Sequence, residues 1–142
     1  MFKKILIAVD LQDPASTKKA LEVAVSHAKA FGAVLEVLTV VPEFGYPSVG
    51  GYLPEGTEEK IIADAKESLH AVVGADVPKD VKCRYIVAQG SIYHRILEFA
   101  EKEAADLIIV TAHRPELKDY LLGPNSARVV RHANCSVLVI RV

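Results

Sequence analysis

The sequence contains no tryptophan, and neither sign of charge is in excess. Seventeen lysine and arginine side chains stand against 18 aspartates and glutamates, which gives a formal net charge of −1. Binding to nucleic acid or to a membrane surface is not expected, because no surplus of cations is available for phosphate groups. The longest apolar runs, such as residues 5–9 and 107–110, fall far short of the roughly 18 to 20 residues that cross a bilayer. The first residues also lack a signal-peptide cleavage pattern, so we expect a cytoplasmic protein.

Cysteine is scarce and histidine is scattered along the chain. Cys83 and Cys135 have no nearby partner motif, which excludes a disulfide framework and a zinc knuckle. Both stand where strands are predicted to begin, and we interpret them as small buried hydrophobic residues. The five histidines never recur four residues apart and lie on different predicted elements, so no zinc site is expected.

Hydrophobic residues make up 51% and charged residues 25% of the 142-residue chain, which is typical of a globular domain. We expect one domain over residues 1–142. Continuous apolar runs predict five strands, at residues 4–9, 34–41, 81–88, 106–110 and 136–142. Apolar residues at helical spacing predict a helix after each of the first four strands. This alternation predicts an α/β fold, a doubly wound five-stranded parallel sheet with strand order 3-2-1-4-5 and helices on both faces.

Capping residues mark the ends of the first two helices. Asp13 followed by Pro14 predicts the start of the first helix, and Gly32 predicts its end. Thr57 and Gly74 are predicted to bound the second helix in the same way. Ligands in such a fold bind beyond the carboxyl ends of the strands, where function is therefore expected.

Missing residues exclude several enzyme classes that share this fold. The nearest spacing to a Walker A loop, Gly45 to Gly50, has no following lysine. Residues 8–13, after the first strand, contain no glycine, which excludes the dinucleotide fingerprint. The third strand ends without the phosphate-accepting aspartate of a response-regulator receiver domain. No serine lies in a Gly-x-Ser-x-Gly elbow, so no nucleophilic serine is indicated.

A polar segment at residues 111–126 follows the fourth strand and enters a helix through Gly123. Free amides at a helix N-terminus favour an anion, so this segment is one candidate ligand site. A plain turn into a capped helix is equally compatible with these residues.

Three stretches carry a family resemblance: KKILIAVD at 3–10, ADLIIV at 105–110, and LLG at 121–123 followed by VVRHANCSVLV at 129–139. With them, the whole chain resembles the universal stress protein family. The resemblance implies an ATP-binding regulatory or stress-resistance module, with or without Mg²⁺, rather than an efficient enzyme. The alternatives are a nucleotide-free, dimeric interaction protein of the same fold and slow ATP hydrolysis with Asp10 as the base.

In the nucleotide-binding members of that family, a Gly-x2-Gly-x9-Gly-Ser/Thr pattern wraps the ATP phosphates. An aspartate after strand one lies near the ribose, and the backbone at the end of strand two holds the adenine. Here Thr111 and Arg114 stand at the first two glycines, eight residues separate Arg114 from Gly123, and Pro124 replaces the Ser or Thr. The His-Arg-Pro loop followed by Leu-Leu-Gly-x-Asn resembles one bacterial subgroup of the family.

These departures change the donors available to a phosphate. The Arg114 guanidinium would replace backbone amides, while Pro124 offers neither an N–H nor a hydroxyl. The predicted adenine-nucleotide site comprises these residues: Ala8, Asp10, Val40, Thr111, Arg114, Gly123, Pro124, Asn125 and Ser126.

The last strand is predicted to lie at an open edge of the sheet. Residues 137–140 are apolar, and Arg141 is the charged side chain that follows them. Such an edge favours antiparallel pairing of two copies into a homodimer, as the resemblance also implies. A monomer whose edge is covered by a neighbouring loop is the alternative.

Overall fold

The computed structural model describes residues 1–43, 54–112 and 123–142. Strands and helices alternate along these ranges, as the sequence predicts. Their bounds are β1 Lys4–Ala8, α1 Pro14–Phe31, β2 Val34–Val41, α2 Thr57–Asp76, β3 Cys83–Gln89, α3 Ile92–Lys102, β4 Leu107–Ala112, α4 Pro124–His132 and β5 Ser136–Arg141.

The strands form one five-stranded sheet in the order β3-β2-β1-β4-β5. Every neighbouring pair is parallel, and the predicted fold class and strand order are therefore confirmed. β1 lies at the centre, and its Leu6 is in register with Glu36 of β2 and Ile108 of β4. All carboxyl ends consequently meet at one edge of the sheet, and β3 and β5 are the outer strands.

Successive residues of the central strands pack on opposite faces. Ile5 and Ile7 belong to the apolar cluster beneath α1 and α2, whereas Leu6 packs with α3 and α4. Because both faces of the strands are covered by helices, the strands are apolar at nearly every position. This double burial explains why the strand sequences show continuous apolar runs rather than alternation.

The first helix is capped as predicted. The Asp13 side chain accepts a hydrogen bond from the Ser16 amide at 3.2 Å, and Pro14 occupies the first helical position. Gly32 ends the helix with a left-handed backbone, at φ 64°. Glycine adopts this conformation without the steric cost of a Cβ atom.

The second helix differs from its predicted bounds at both ends. Gly56 is the N-cap, and Thr57 is already the first helical residue. Gly74 does not end the helix, which continues to Asp76. The physical stop is Val77, whose extended backbone (φ −109°, ψ 119°) is the conformation imposed on a residue before proline.

Strand ends also shift by one or two residues. Asp106, predicted as the first residue of the fourth strand, lies before it and accepts hydrogen bonds from the amides of Lys3 at 2.8 Å and Lys4 at 3.1 Å. β4 instead extends to Ala112, which is in register with Arg141. The Asp106 carboxylate thus holds the first residues of the chain beside the start of β4. Pairing with β5 extends β4 further toward the carboxyl edge of the sheet.

The two cysteines are half-buried rather than fully buried, and neither forms a disulfide. Burial raises the pKa of the Cys83 thiol to about 11. Burial, and then the nearby Asp106 carboxylate, raise the pKa of Cys135. Both thiols are therefore protonated near neutral pH, which makes them poor nucleophiles.

One carboxylate lies inside the sheet. Glu36 is completely buried, and neither of its carboxylate oxygens has a hydrogen-bond partner among the described residues. Its Oε1 is 3.7 Å from Lys4 Nζ and 3.6 Å from an Arg84 guanidinium nitrogen, which also pairs with Glu103 at 3.3 Å. Burial, and then Glu103, raise the pKa of Glu36 above its ordinary value of 4.5, against the opposing effects of Lys4 and Arg84.

Candidate functional site

The carboxyl end of β1 turns into α1 through Asp10. One Asp10 carboxylate oxygen accepts a hydrogen bond from the Gln12 amide at 2.9 Å. The Asp10 carbonyl accepts from the Thr17 hydroxyl at 2.7 Å and from the Asp13 amide at 3.0 Å. These contacts fix the turn, while the exposed Asp10 side chain keeps its second oxygen available to a ligand.

β2 extends past the end of β1. The last β1–β2 register pair joins Ala8 and Leu38, and the Val9 amide donates to the Leu38 carbonyl at 2.8 Å. Val40 lies beyond that point, on a part of β2 that no longer has β1 beside it. Its backbone is therefore exposed to the space above the carboxyl end of β1.

The first turn of α4 supplies amide donors. Gly123 is the N-cap in an extended conformation, and Pro124 is the first helical residue. Because proline has no N–H, the amides of Asn125 and Ser126 are the donors that lack an acceptor within the helix. The positive end of the helix dipole lies at the same place and favours an anion there.

Side chains of α4 hold these amides in position. The buried Ser126 hydroxyl donates to the Thr111 carbonyl of β4 at 2.7 Å. The Asn125 side-chain oxygen accepts from the Tyr93 amide of α3 at 3.3 Å, and Arg128 lies over the Tyr93 ring, 4.7 Å from its centroid. The Asn125 side-chain oxygen and the Ser126 hydroxyl are thus bonded within the protein, and the backbone amides of both residues are left for a ligand.

These elements enclose a cavity of about 430 Å³, within the usual size range of small-molecule sites. Arg114 lies outside the described residues. The other eight predicted site residues all line this cavity: Ala8, Asp10, Val40, Thr111, Gly123, Pro124, Asn125 and Ser126.

Sequence reasoning missed the apolar wall of the cavity. Ile92 and Ile96 of α3 line it together with Leu38 and Val110. Ile92 is 45% exposed, although its helical spacing to Ile96 predicts that it lies on the buried face of α3. Its place at the start of a helix that follows a carboxyl strand end was the available signal, since such residues border the ligand crevice in this fold.

A second cavity, of about 720 Å³, lies between α1 and α2 on the opposite face of the sheet. It shares five lining residues with the first cavity, among them Asp10, Thr39 and Val40, and its remaining wall includes Ile61 and Val72 of α2. The first turn of α4 does not line it in the described ranges. The smaller cavity is the better candidate site, because there the polar strand ends meet free helix amides.

The described part of the chain contains neither a group of metal-ligating side chains nor a membrane-spanning helix. Within residues 1–43, 54–112 and 123–142, no three His, Cys, Asp or Glu side chains are grouped closely enough to hold a metal ion. None of the helices in those ranges has the length and apolar character needed to cross a membrane.

Comparison with known proteins agrees with this architecture. A sequence profile of the universal stress protein family matches residues 1–141. The chain belongs to the universal stress protein family. Universal stress protein G of Shigella flexneri is 30% identical over 143 residues, which cover 99% of this chain and 100% of that protein. Universal stress protein YxiE of Bacillus subtilis is 34% identical over 150 residues, with 99% and 100% coverage.

Several solved structures share the fold of this chain. MJ0577 superposes with a TM-score of 0.74 at 29% identity, over 100% of this chain and 97% of that one. A universal stress protein in complex with cAMP has a TM-score of 0.65 over 99% and 97% of the two chains. One from Archaeoglobus fulgidus in complex with dAMP has a TM-score of 0.69 over 97% of each. The last two are 22% identical to this chain and demonstrate the common fold alone.

Proposed function

We propose that this universal stress protein binds ATP, with or without Mg²⁺, in the 430 Å³ cavity. The observation that carries the proposal is the convergence of the open backbone of Val40, the Asp10 carboxylate and the free α4 amides on one cavity. The cAMP and dAMP complexes of two proteins with this fold support an adenine nucleotide as the ligand class.

Each part of the nucleotide has a chemically matched partner in this proposal. Adenine lies against the Val40 backbone and the apolar wall from Ile92, and the ribose hydroxyls donate to Asp10. The phosphates lie at the first turn of α4, where the amides of Asn125 and Ser126 donate to them. Arg114, assigned on its sequence position, adds a guanidinium to the phosphates.

Substitution of Gly123 by valine should weaken ATP binding at least about tenfold, or about 1.4 kcal/mol. Gly123 has an ordinary φ of −70°, and a Cβ built on it meets no described atom within 4 Å. The fold therefore tolerates the side chain, while the branched group stands where a phosphate approaches the helix amides. Titration calorimetry with ATP measures the change.

Gly74→Val is the matched control for this experiment. A Cβ on Gly74 also meets no described atom, and Gly74 lies within α2 rather than at the cavity. Its affinity for ATP should equal that of the wild type. Absence of binding by the wild type at millimolar ATP would overturn the proposed function and favour the nucleotide-free interaction protein.

Hydrolysis of the bound ATP should be slow. Asp10 is the one carboxylate among the described residues that line the cavity, and one of its oxygens is already bonded to the Gln12 amide. The sequence also lacks a Walker lysine to stabilise charge on the γ-phosphate. Phosphate release should stay well below the roughly 1 to 100 s⁻¹ of typical kinases, and a rate within that range would contradict the prediction.

We propose further that the chain is a single domain, 1–142, which works in the cytoplasm as a regulatory or stress-resistance module.

We also propose that two copies associate through β5. That strand lies at the edge of the sheet, and its Val137, Leu138 and Val139 are only half-buried in one copy. A partner strand would cover both their side chains and the open edge of the backbone.

A further inference from the structure

The ladder of hydrogen bonds between β1 and β2 ends before the bond that its geometry predicts next. In parallel pairing, alternate residues of β2 bond to β1. Val34 donates to the Lys3 carbonyl at 3.0 Å, and Leu38 accepts from the Val9 amide at 2.8 Å. The next bond in this series would run from the Val40 amide to the Val9 carbonyl.

The Val9 carbonyl has a different donor. The Thr39 hydroxyl donates to it at 3.0 Å, and Thr39 is only 5% exposed. No backbone bond from Val40 to Val9 or to the residues after it exists in the described part of the chain. The Thr39 hydroxyl is thus bonded to the carbonyl that the Val40 amide would otherwise use, and the Val40 amide is not bonded to it.

Both polar groups of the Val40 backbone consequently face an open space. Val41, the next residue, accepts from the Gly90 amide at 2.9 Å on the β3 side, so Val40 points the opposite way, past the end of β1. Val40 and Thr39 both line the 430 Å³ cavity. One donor and one acceptor are therefore presented side by side to whatever occupies it.

We propose that Thr39 is a positioning residue for base recognition, because its hydroxyl keeps the Val40 amide out of the sheet and free for the ligand. This inference rests on the proposed ATP binding. The free N–H matches a ring-nitrogen acceptor, and the free C=O matches the exocyclic amino group beside it, as adenine presents them. Guanine carries a carbonyl and a ring N–H at the same two positions, so the fixed order of donor and acceptor disfavours it.

Amide hydrogen exchange tests the backbone part without any ligand. In the wild type, the Val40 amide should exchange at least about 100-fold faster than that of Leu38, which lies within the paired part of β2. In Thr39→Val, an isosteric change that removes the hydroxyl, Val40 should take the Val9 carbonyl and exchange at least about tenfold more slowly. Thr39→Ser should restore fast exchange.

Thr17→Val is the matched control for loss of a threonine hydroxyl. Thr17 is also buried and donates to a backbone carbonyl, that of Asp10, but its bond is not part of the β1–β2 ladder. Exchange at Val40 should be as fast in this variant as in the wild type. Slow exchange at Val40 in the wild type, or unchanged exchange in Thr39→Val, would overturn the inference.

Ligand titrations test the recognition part. Thr39→Val should bind ATP at least about tenfold more weakly than the wild type, while its affinity for inorganic tripolyphosphate, which has no base, should stay the same. Thr39→Ser should bind ATP like the wild type, and the preference of the wild type for ATP over GTP should shrink in Thr39→Val. Equal loss for ATP and tripolyphosphate would overturn the recognition role.

The two sets of measurements separate this inference from the proposed function. If the wild type binds no ATP yet shows the expected exchange pattern, the proposed function fails, and Thr39 still unpairs the Val40 amide. If ATP binds but Thr39→Val leaves both exchange and affinity unchanged, the role of Thr39 is refuted and the ATP site stands.

Discussion

Glu36→Leu should raise the free energy of unfolding near neutral pH by about 1–4 kcal/mol, the gain seen where well-packed apolar side chains replace a buried ion pair with a net stabilising effect. Glu36 lies on the same side of the sheet as Leu6 and Leu38, which belong to the apolar cluster beneath α3 and α4. Its Oε1 forms ion pairs at 3.6 and 3.7 Å, and neither carboxylate oxygen has a hydrogen bond among the described residues. These long contacts do not offset the loss of water around a carboxylate.

The cations left behind by this substitution carry little penalty. The Arg84 side chain is 59% exposed and keeps its pairing with Glu103 at 3.3 Å, and the Lys4 side chain remains in contact with solvent. Neither becomes a buried unpaired charge, which is what makes removal of one ion-pair partner costly elsewhere. Chemical denaturation at pH 7 gives the free energy directly.

The same carboxylate makes the stability of the wild type depend on pH. Burial, and then Glu103, raise the pKa of Glu36 in the folded state above its ordinary 4.5, so the folded protein binds the proton more tightly than the unfolded chain. The stabilisation that arises from this raised pKa is therefore fully present below pH 4.5, and it is lost as the pH rises through the folded-state pKa of Glu36. Glu36→Gln, which does not titrate, should remove this component of the pH dependence.

Glu67→Gln supplies the control, since Glu67 is an exposed residue of α2. It should leave both the free energy of unfolding and its dependence on pH unchanged. Destabilisation by both Glu36→Leu and Glu36→Gln at pH 7 would show that the ion pairs with Lys4 and Arg84 outweigh burial, contrary to the expectation.

The fold was predictable because its signals are local. The central strands β1, β2 and β4 are buried on both faces, and the resulting apolar runs survive even the charge of Glu36 in the middle of β2. Element ends were less accurate where the deciding contact is distant in sequence. Asp106 lies outside β4 because it caps the amides of Lys3 and Lys4, and such a contact over 102 residues has no local pattern.

The lining of the candidate site was predictable only in part, for the same reason. Asp10 and Gly123 stand at positions that the order of elements identifies as strand and helix ends, and both line the cavity. Thr39 was missed, because a threonine within a strand ordinarily indicates no more than β propensity. Its significance depends on the Val9 carbonyl, 30 residues away, which only the assembled ladder brings within reach.

Val139→Pro should convert a wild-type dimer into a monomer. Val142 donates to the Ala112 carbonyl at 3.4 Å, which places the β4-facing amides of β5 at even-numbered positions. Val139 therefore directs its amide away from β4, toward the open edge. Proline at this position removes a donor on the open side and leaves the bonds to β4 intact, and an edge strand tolerates proline on that side.

Val139→Pro should weaken the dimer strongly, because two-fold symmetry places the substitution, and its free-energy cost, in the interface twice. Each substituted copy lacks one donor, and each leaves an acceptor of its partner unpaired in the interface, at about 1–3 kcal/mol apiece. The sum, about 2–6 kcal/mol, raises the dissociation constant by at least about 30-fold. The other edge strand, β3, is a poorer interface, since Arg84 is exposed there and Tyr85 is bonded to His70 at 2.8 Å.

Light scattering at micromolar concentration distinguishes the two states, and Val139→Ala is the control that keeps the amide while shortening the side chain. That variant should remain dimeric, and both variants should unfold cooperatively, which shows that the monomer fold is intact. A monomeric wild type would refute association through β5. A Val139→Pro protein that stays dimeric would place the interface on another surface, because no antiparallel pairing centred on β5 could retain its affinity without the outward amide of Val139.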